Sequence, residues 1–327
     1  MRMRNGIFII CNLIFLFILL NVDASAERFV KNRYHYKYKL GVLSYLFNTA
    51  DEKLKDDINI LSSELQFDQN ALERLKDLAI YESEEITRLK NIDYKWRRKD
   101  NKEPLGSEKT QYIEKLHKKI ESLRNNISTR VIVLLGENKY EDFLLWTSKW
   151  WQEEINYRNK KIKSVYNAGQ LGVVACYVFA TQFELDEIAV ALPDKYIKFA
   201  NLGWPIPEKY KKYYSKPPYK VEIMRDKFRE EFEVRDVGPW NEDDNYWDLP
   251  EWLNIGNGPY RRTFDELSIC MPEARAAYEK NFNNGRDQFN REVLNPAGID
   301  LTFEAAKMLG LNYLENAWVT IFIDRLP

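Results

Sequence analysis

The sequence predicts an α+β protein, a helical bundle or hairpin followed by a β-rich half. Two observations carry this. Up to about residue 155 apolar residues recur at helical spacing, three or four positions apart. Beyond residue 170 that period gives way to short runs rich in β-branched and aromatic residues, bounded by Gly and Pro. The change of pattern places a domain boundary near residue 165, with a helical part over 27–165 and a β-rich part over 166–327.

The helical stripes are read in order. Leu54, Ile58, Leu61 and Leu65, then Leu72, Leu75 and Leu78, mark a first apolar face. Its run ends in Arg97-Arg98-Lys99, where cations suit the negative end of a helix. Pro104-Leu105-Gly106 breaks the chain, and Ser107 can cap the next helix. Ile113, Leu116, Ile120, Leu123 and Ile127 form a second stripe, which Gly136 interrupts. Tyr140, Phe143, Leu144, Thr147, Trp150 and Trp151 form a third. Each arm spans only a few heptads, which favours an antiparallel bundle over an extended coiled coil. Leu65-Gln66-Phe67-Asp68-Gln69 and residues 134–140 are similar to stretches of small periplasmic helical chaperones and metal sensors, and equally to a plain amphipathic hairpin. His35 and His117 read as solvated surface residues, and a protein partner for this half is an expectation without a motif behind it. In the second half, residues 173–180, 221–223, 231–237 and 318–323 are the strand candidates.

The N-terminus has the form of an export signal: a cationic Met1-Arg2-Met3-Arg4, an apolar run over residues 6–20, and Ala24-Ser25-Ala26 before Glu27. The run is shorter than the roughly 20 residues of a spanning helix, so residues 1–26 are expected to be cleaved and the protein to be secreted to the periplasm or wall. Removing Arg2, Arg4 and Asp23 leaves 49 − 2 = 47 basic and 50 − 1 = 49 acidic residues, a net charge of −2. That balance gives no general pull toward nucleic acid. Cys176 and Cys270 remain, and outside the cytosol they leave two readings open, a disulfide or two separate buried thiols.

Two stretches point to a family. One is Phe232-Glu233-Val234-Arg235-Asp236-Val237-Gly238-Pro239-Trp240. The other runs from Pro296-Ala297-Gly298-Ile299-Asp300-Leu301-Thr302 through Phe303-Glu304-Ala305-Ala306-Lys307-Met308-Leu309-Gly310. In order and residue type they resemble the double-psi β-barrel of rare lipoprotein A, a septal lytic transglycosylase, and of the expansins. The resemblance covers roughly residues 170–327. It implies a six-stranded double-psi β-barrel in which Asp236 and Asp300 face one groove. Locally, Thr302 can cap a helix over 303–309, and Gly310 can close it in a left-handed conformation.

This chain departs from the family in two ways. Residues 187–193 keep the Ala and Leu-Pro of a family stretch but lack its histidine, and no histidine lies beyond residue 117, so any activity rests on carboxylates. A long inserted loop over 241–295 replaces a short connection. Its Tyr246, Trp247 and Trp252, with Trp240 before it, are candidates to stack on sugar faces or to bury the loop itself. Its acidic residues read as turn caps, since they lack the spacing of a calcium loop; no metal and no cofactor is expected.

The implied ligand is peptidoglycan or another wall polysaccharide. The resemblance implies either of two functions. In a lytic transglycosylase, Asp300 would be the general acid and Asp236 an electrostatic aid. In an expansin-like module the same groove would bind glycan without cleaving it, and the missing histidine favours that alternative.

Overall fold

A computed structural model describes residues 38–98, 107–166, 173–214, 217–251 and 259–324. The expected signal peptide lies outside them, as do His35 and Trp252. No helix among the described residues is long and apolar enough to cross a membrane.

The first half is helical, as its periodicity predicts: α1 (Val42–Phe47), α2 (Glu52–Glu64), α3 (Gln69–Arg98), α4 (Ser107–Leu135) and α5 (Glu137–Tyr166). The first apolar stripe reads as one helix. The chain instead breaks between α2 and α3, where Gln66 adopts φ 51° and Asp68 accepts from Ala71 N at 2.7 Å. Gly136, with φ 77°, separates α4 from α5 in a backbone conformation that a side chain disfavours. The N-terminus of α1 is satisfied from α3: the buried carboxylate of Glu82 accepts from Gly41 N, Ser44 N and the Tyr38 hydroxyl at 2.7–2.9 Å.

The second half is a closed six-stranded mixed β-barrel, compatible with the expected double-psi form. Its strands are β1 (Val173–Phe183), β2 (Val190–Leu192), β3 (Lys220–Arg225), β4 (Phe228–Val237), β7 (Ala297–Thr302) and β8 (Ala317–Asp324), in the closed order β1-β7-β2-β4-β3-β8. The β1–β7 and β2–β4 pairs are parallel and the others antiparallel. Helices α6 (Lys195–Asn201) and α7 (Glu208–Lys211) come after β2. The α+β class therefore holds, with helices first and barrel second.

The inserted loop carries β5 (Leu249–Pro250), β6 (Tyr260–Arg261) and α8 (Glu273–Lys280). Its acids do more than cap turns. Asp243 and Asp244 pair with Arg262 and Arg261, and Asp248 accepts from Asn245. Cys270 forms a disulfide with Cys176 of β1, with Cα atoms 5.0 Å apart, so one of the two open readings is realised. After β7, α9 (Phe303–Met308) is capped by the Thr302 hydroxyl on Ala305 N, as its sequence predicts. Gly310 closes it at φ 70°, and a Cβ there would lie 2.6 Å from the Phe228 ring, so both backbone and space demand glycine.

The two halves differ in secondary structure yet share a core. Buried residues of α1 to α5 form one contiguous cluster with Phe179, Trp240, Tyr278, Leu294 and Trp318 of the barrel half. The barrel interior forms a second cluster around Cys176, Val190, Phe232, Ile299 and Ile321.

Candidate functional site

Register places the two candidate aspartates in one transverse row. Asp300 pairs with Thr181 on one side and with Ala191 on the other, and Ala191 pairs in turn with Asp236. Side chains at paired positions share a face of the sheet. Val190 pairs with Val234 and Ala191 with Asp236, so Arg235 is an extra residue in β4. Such a bulge re-aims the next side chain, and here it brings Asp236 to the face of Ala191 and Asp300. With strands about 4.8 Å apart, the two aspartate backbones lie roughly 10 Å from one another.

Both carboxylates line one cavity of ≈ 60 Å³. Its barrel wall is Ala191, Asp236 and the Val237–Trp240 turn; its helical wall is Leu89, Lys90 and Asn91 of α3 with Leu116 and Ile120 of α4. That space holds a few waters and falls well below the roughly 300–1,000 Å³ of ordinary ligand pockets.

The partners of the two acids come from different halves. Asp236, 1% exposed, pairs with Lys198 of α6 at 2.6 Å and accepts from Val237 N at 2.8 Å. Helix α6 is set by its Asp194 N-cap, which accepts from Tyr196 N at 2.9 Å and so directs Lys198 inward. Asp300, 5% exposed, accepts from Lys90 Nζ at 2.9 and 3.0 Å on its two oxygens and from the Thr181 hydroxyl. Lys90 lies 210 positions away on α3. Its Nζ also reaches Thr181 Oγ1 at 3.1 Å and stands 6.0 Å from the Trp240 ring centroid. The sequence points to both acids but to neither lysine, because no local pattern marks a pairing across such a distance.

The expected ring-stackers separate. Trp240 lines the cavity with its Nε1 donating to Asn295 Oδ1 at 2.9 Å, and its backbone, at φ 64°, is held by Arg291 on its carbonyl. Tyr246 and Trp247 do not line it. Tyr246 is fully buried and donates to Gly298 O at 2.9 Å, and Trp247 packs edge-on against it at 5.0 Å. Their apolar area closes the insertion onto the barrel, and Trp247 lines a different cavity of ≈ 240 Å³ beside Tyr214 and Tyr219. His117, expected in solvent, contacts Arg286 of the insertion at 2.9 Å.

Behind Trp240 the insertion holds a second acid of unusual character. Glu273 is wholly buried and accepts from Asn241 Nδ2 at 2.8 Å, while its other oxygen has no hydrogen-bond partner among the described residues. Burial pushes its carboxyl up to about 8, so it is held neutral at the pH where exposed glutamates are ionised. Among the described residues no cluster of His, Cys, Asp or Glu could hold a metal ion.

Residues 163–322, just under half the chain, match a family described as a domain of unknown function (DUF8814). No curated protein and no solved structure matches the chain.

Proposed function

We propose that this is an exported protein acting on wall glycan, peptidoglycan above all, through the cleft between Asp236 and Asp300. One observation carries the reading: the two stretches that resemble rare lipoprotein A and the expansins supply the two acids that share a strand row and a cavity. In a lytic transglycosylase reaction the Asp300 carboxyl protonates the glycosidic oxygen. The sugar's C6 hydroxyl attacks the anomeric carbon, the C–O bond to the leaving sugar breaks, and the hydroxyl proton returns to Asp300. A single acid that becomes the base is sufficient. Asp236, fixed by Lys198, contributes its field and does not exchange protons. Because Lys90 covers both oxygens of Asp300, the cleft works only when α3 and α4 move aside.

A second reading, glycan binding without cleavage, is favoured by those same ion pairs, since both acids are already engaged by ammonium groups. Incubating the protein with purified sacculi and analysing the soluble products by mass spectrometry separates the two. The cleavage reading expects anhydro-muropeptides from wild type and a loss of roughly 10²–10⁴ in their rate of release with Asp300→Asn. Binding to sacculi with no anhydro product supports the second reading. Neither binding nor release overturns both.

A further inference from the structure

We infer that the outer surface of α6, α7 and the loop between them is a separate binding face for an anionic polysaccharide. Helix α6 has two working sides. Inward, Lys198 holds Asp236; outward, Tyr196 and Phe199 begin a chain of rings. Trp204 lies 5.4 Å from Phe199, Phe199 lies 6.1 Å from Tyr196, and Tyr196 lies 4.6 Å from Tyr210. Trp204 is 47% exposed on its Pro-rich loop, and the other three are half-buried. Trp204 is therefore the ring most open to a partner, with the others packed behind it.

Charge decides which partner. Residues 195–214 hold five lysines and one acid, Glu208, in a chain whose formal net charge is −1. Glu208 pairs with Lys211, and Lys198 is committed to Asp236. Lys195, Lys209 and Lys212 have no carboxylate within ion-pair distance among the described residues. Their Nζ atoms instead lie 5.6, 4.6 and 4.6 Å from the rings of Tyr196, Tyr210 and Tyr213. The face is also rigid. Arg262, tied to Asp194 at 2.8 Å, packs 4.9 Å from the Tyr196 ring and 5.7 Å from that of Tyr210. Pre-set rings cost little ordering on binding.

Flat apolar rings beside unpaired ammonium groups suit sugars that carry carboxylate or phosphate: the ring faces take the sugar C–H faces and the lysines take the anions. Single-stranded nucleic acid uses the same elements. Nucleic acid is met, however, by a continuous and strongly basic groove, whereas this face offers three lysines without a carboxylate partner on a chain of net charge −1.

Affinity electrophoresis through gels containing polygalacturonate, neutral dextran or a thymidine oligonucleotide tests this. Polygalacturonate should retard the wild-type protein, and dextran should do so far less. Trp204→Ala should weaken binding roughly three- to tenfold. Lys209→Glu with Lys212→Glu should remove its salt-sensitive part. These side chains are exposed, so unchanged melting temperatures show that the variants fold. The inference is overturned if polygalacturonate leaves wild type unretarded, if the Trp204 and lysine variants bind like wild type, or if the oligonucleotide binds more tightly than the polyuronate. It does not depend on the cleft, since loss of this binding leaves the sacculus products of Asp300 to be judged separately.

Discussion

The helical half meets the barrel along two seams of opposite character. Where α1 and α5 cover β1 and β8, aromatic rings pack around the buried Arg158, which reaches Tyr177 at 2.7 Å. Tyr45 stacks on Phe179 at 5.0 Å and meets Trp151 edge-on at 4.9 Å, while its hydroxyl joins Trp318 Nε1 at 2.7 Å and Glu154 at 2.8 Å. Where α3 and α4 overhang the cleft, the named contacts are polar: Lys90 with Asp300, Arg124 with Glu292, and His117 with Arg286. Burial of large rings stabilises strongly and yields only to unfolding. The polar contacts range from the largely buried Lys90–Asp300 pair to the Arg124–Glu292 pair, whose carboxylate is partly exposed, and their groups can be exchanged for a ligand's polar groups. The first seam holds the molecule together, and the second sets the state of the site.

That contrast orders the expected effects. Trp318→Ala in the aromatic seam removes an indole packed against Tyr45, Tyr177 and Phe179, and should cost about 3–5 kcal/mol in chemical denaturation. A loss below about 1 kcal/mol would mean that this seam is not the clamp. Replacing both Cys176 and Cys270 by Ala opens a link between residues 94 apart and should cost about 2–5 kcal/mol under oxidising conditions. Under a strong reductant the difference from wild type should vanish.

In the polar seam the cost is smaller and conditional. Lys90→Met leaves Asp300 buried without its cation; as the lysine side chain is 14% exposed, water softens the penalty to about 2 kcal/mol. Adding Asp300→Asn should recover most of it, and a double-mutant cycle reads the coupling. Additive losses would show that Lys90 acts on something other than Asp300.

A further effect is read against pH. Glu273 has a folded value of about 8 against an ordinary value near 4.3 when unfolded, so the folded state binds more protons between these limits. Stability should fall as pH rises through that window, by up to about 1 kcal/mol per unit, and level off above it. In Glu273→Gln the slope should disappear. An unchanged slope would assign it to another group.

Much of this is legible in the chain. The apolar stripes locate the long helices because a 3.6-residue period survives without tertiary help. Asp236 and Asp300 stand out only through the two stretches that resemble rare lipoprotein A and the expansins, because an aspartate beside a turn or a helix entrance reads by itself as a partner for backbone amides. Strand β2, three residues long, is too short to carry a period. Tyr246 and Trp247 read either as sugar-stacking rings or as the loop's own core, since the two look alike in sequence, and the packed insertion realises the second. The composition change near residue 165 marks a change of secondary structure, not an end of packing, since the core runs across it. Lys90 illustrates the limit most plainly, a solvent-like lysine in its own helix that becomes the partner of Asp300 through the fold.

Under the proposed function, glycan enters at the polar seam. Hydrogen–deuterium exchange with and without a saturating soluble muropeptide fragment tests it most directly. Residues 297–302 and 236–240 should exchange more slowly with ligand, residues 85–92 and 113–120 faster as the overhanging helices lift, and the Tyr45 and Trp318 segments unchanged. Exchange that stays the same around Asp236 and Asp300 with ligand bound, or changes confined to α1 and α5, would contradict it.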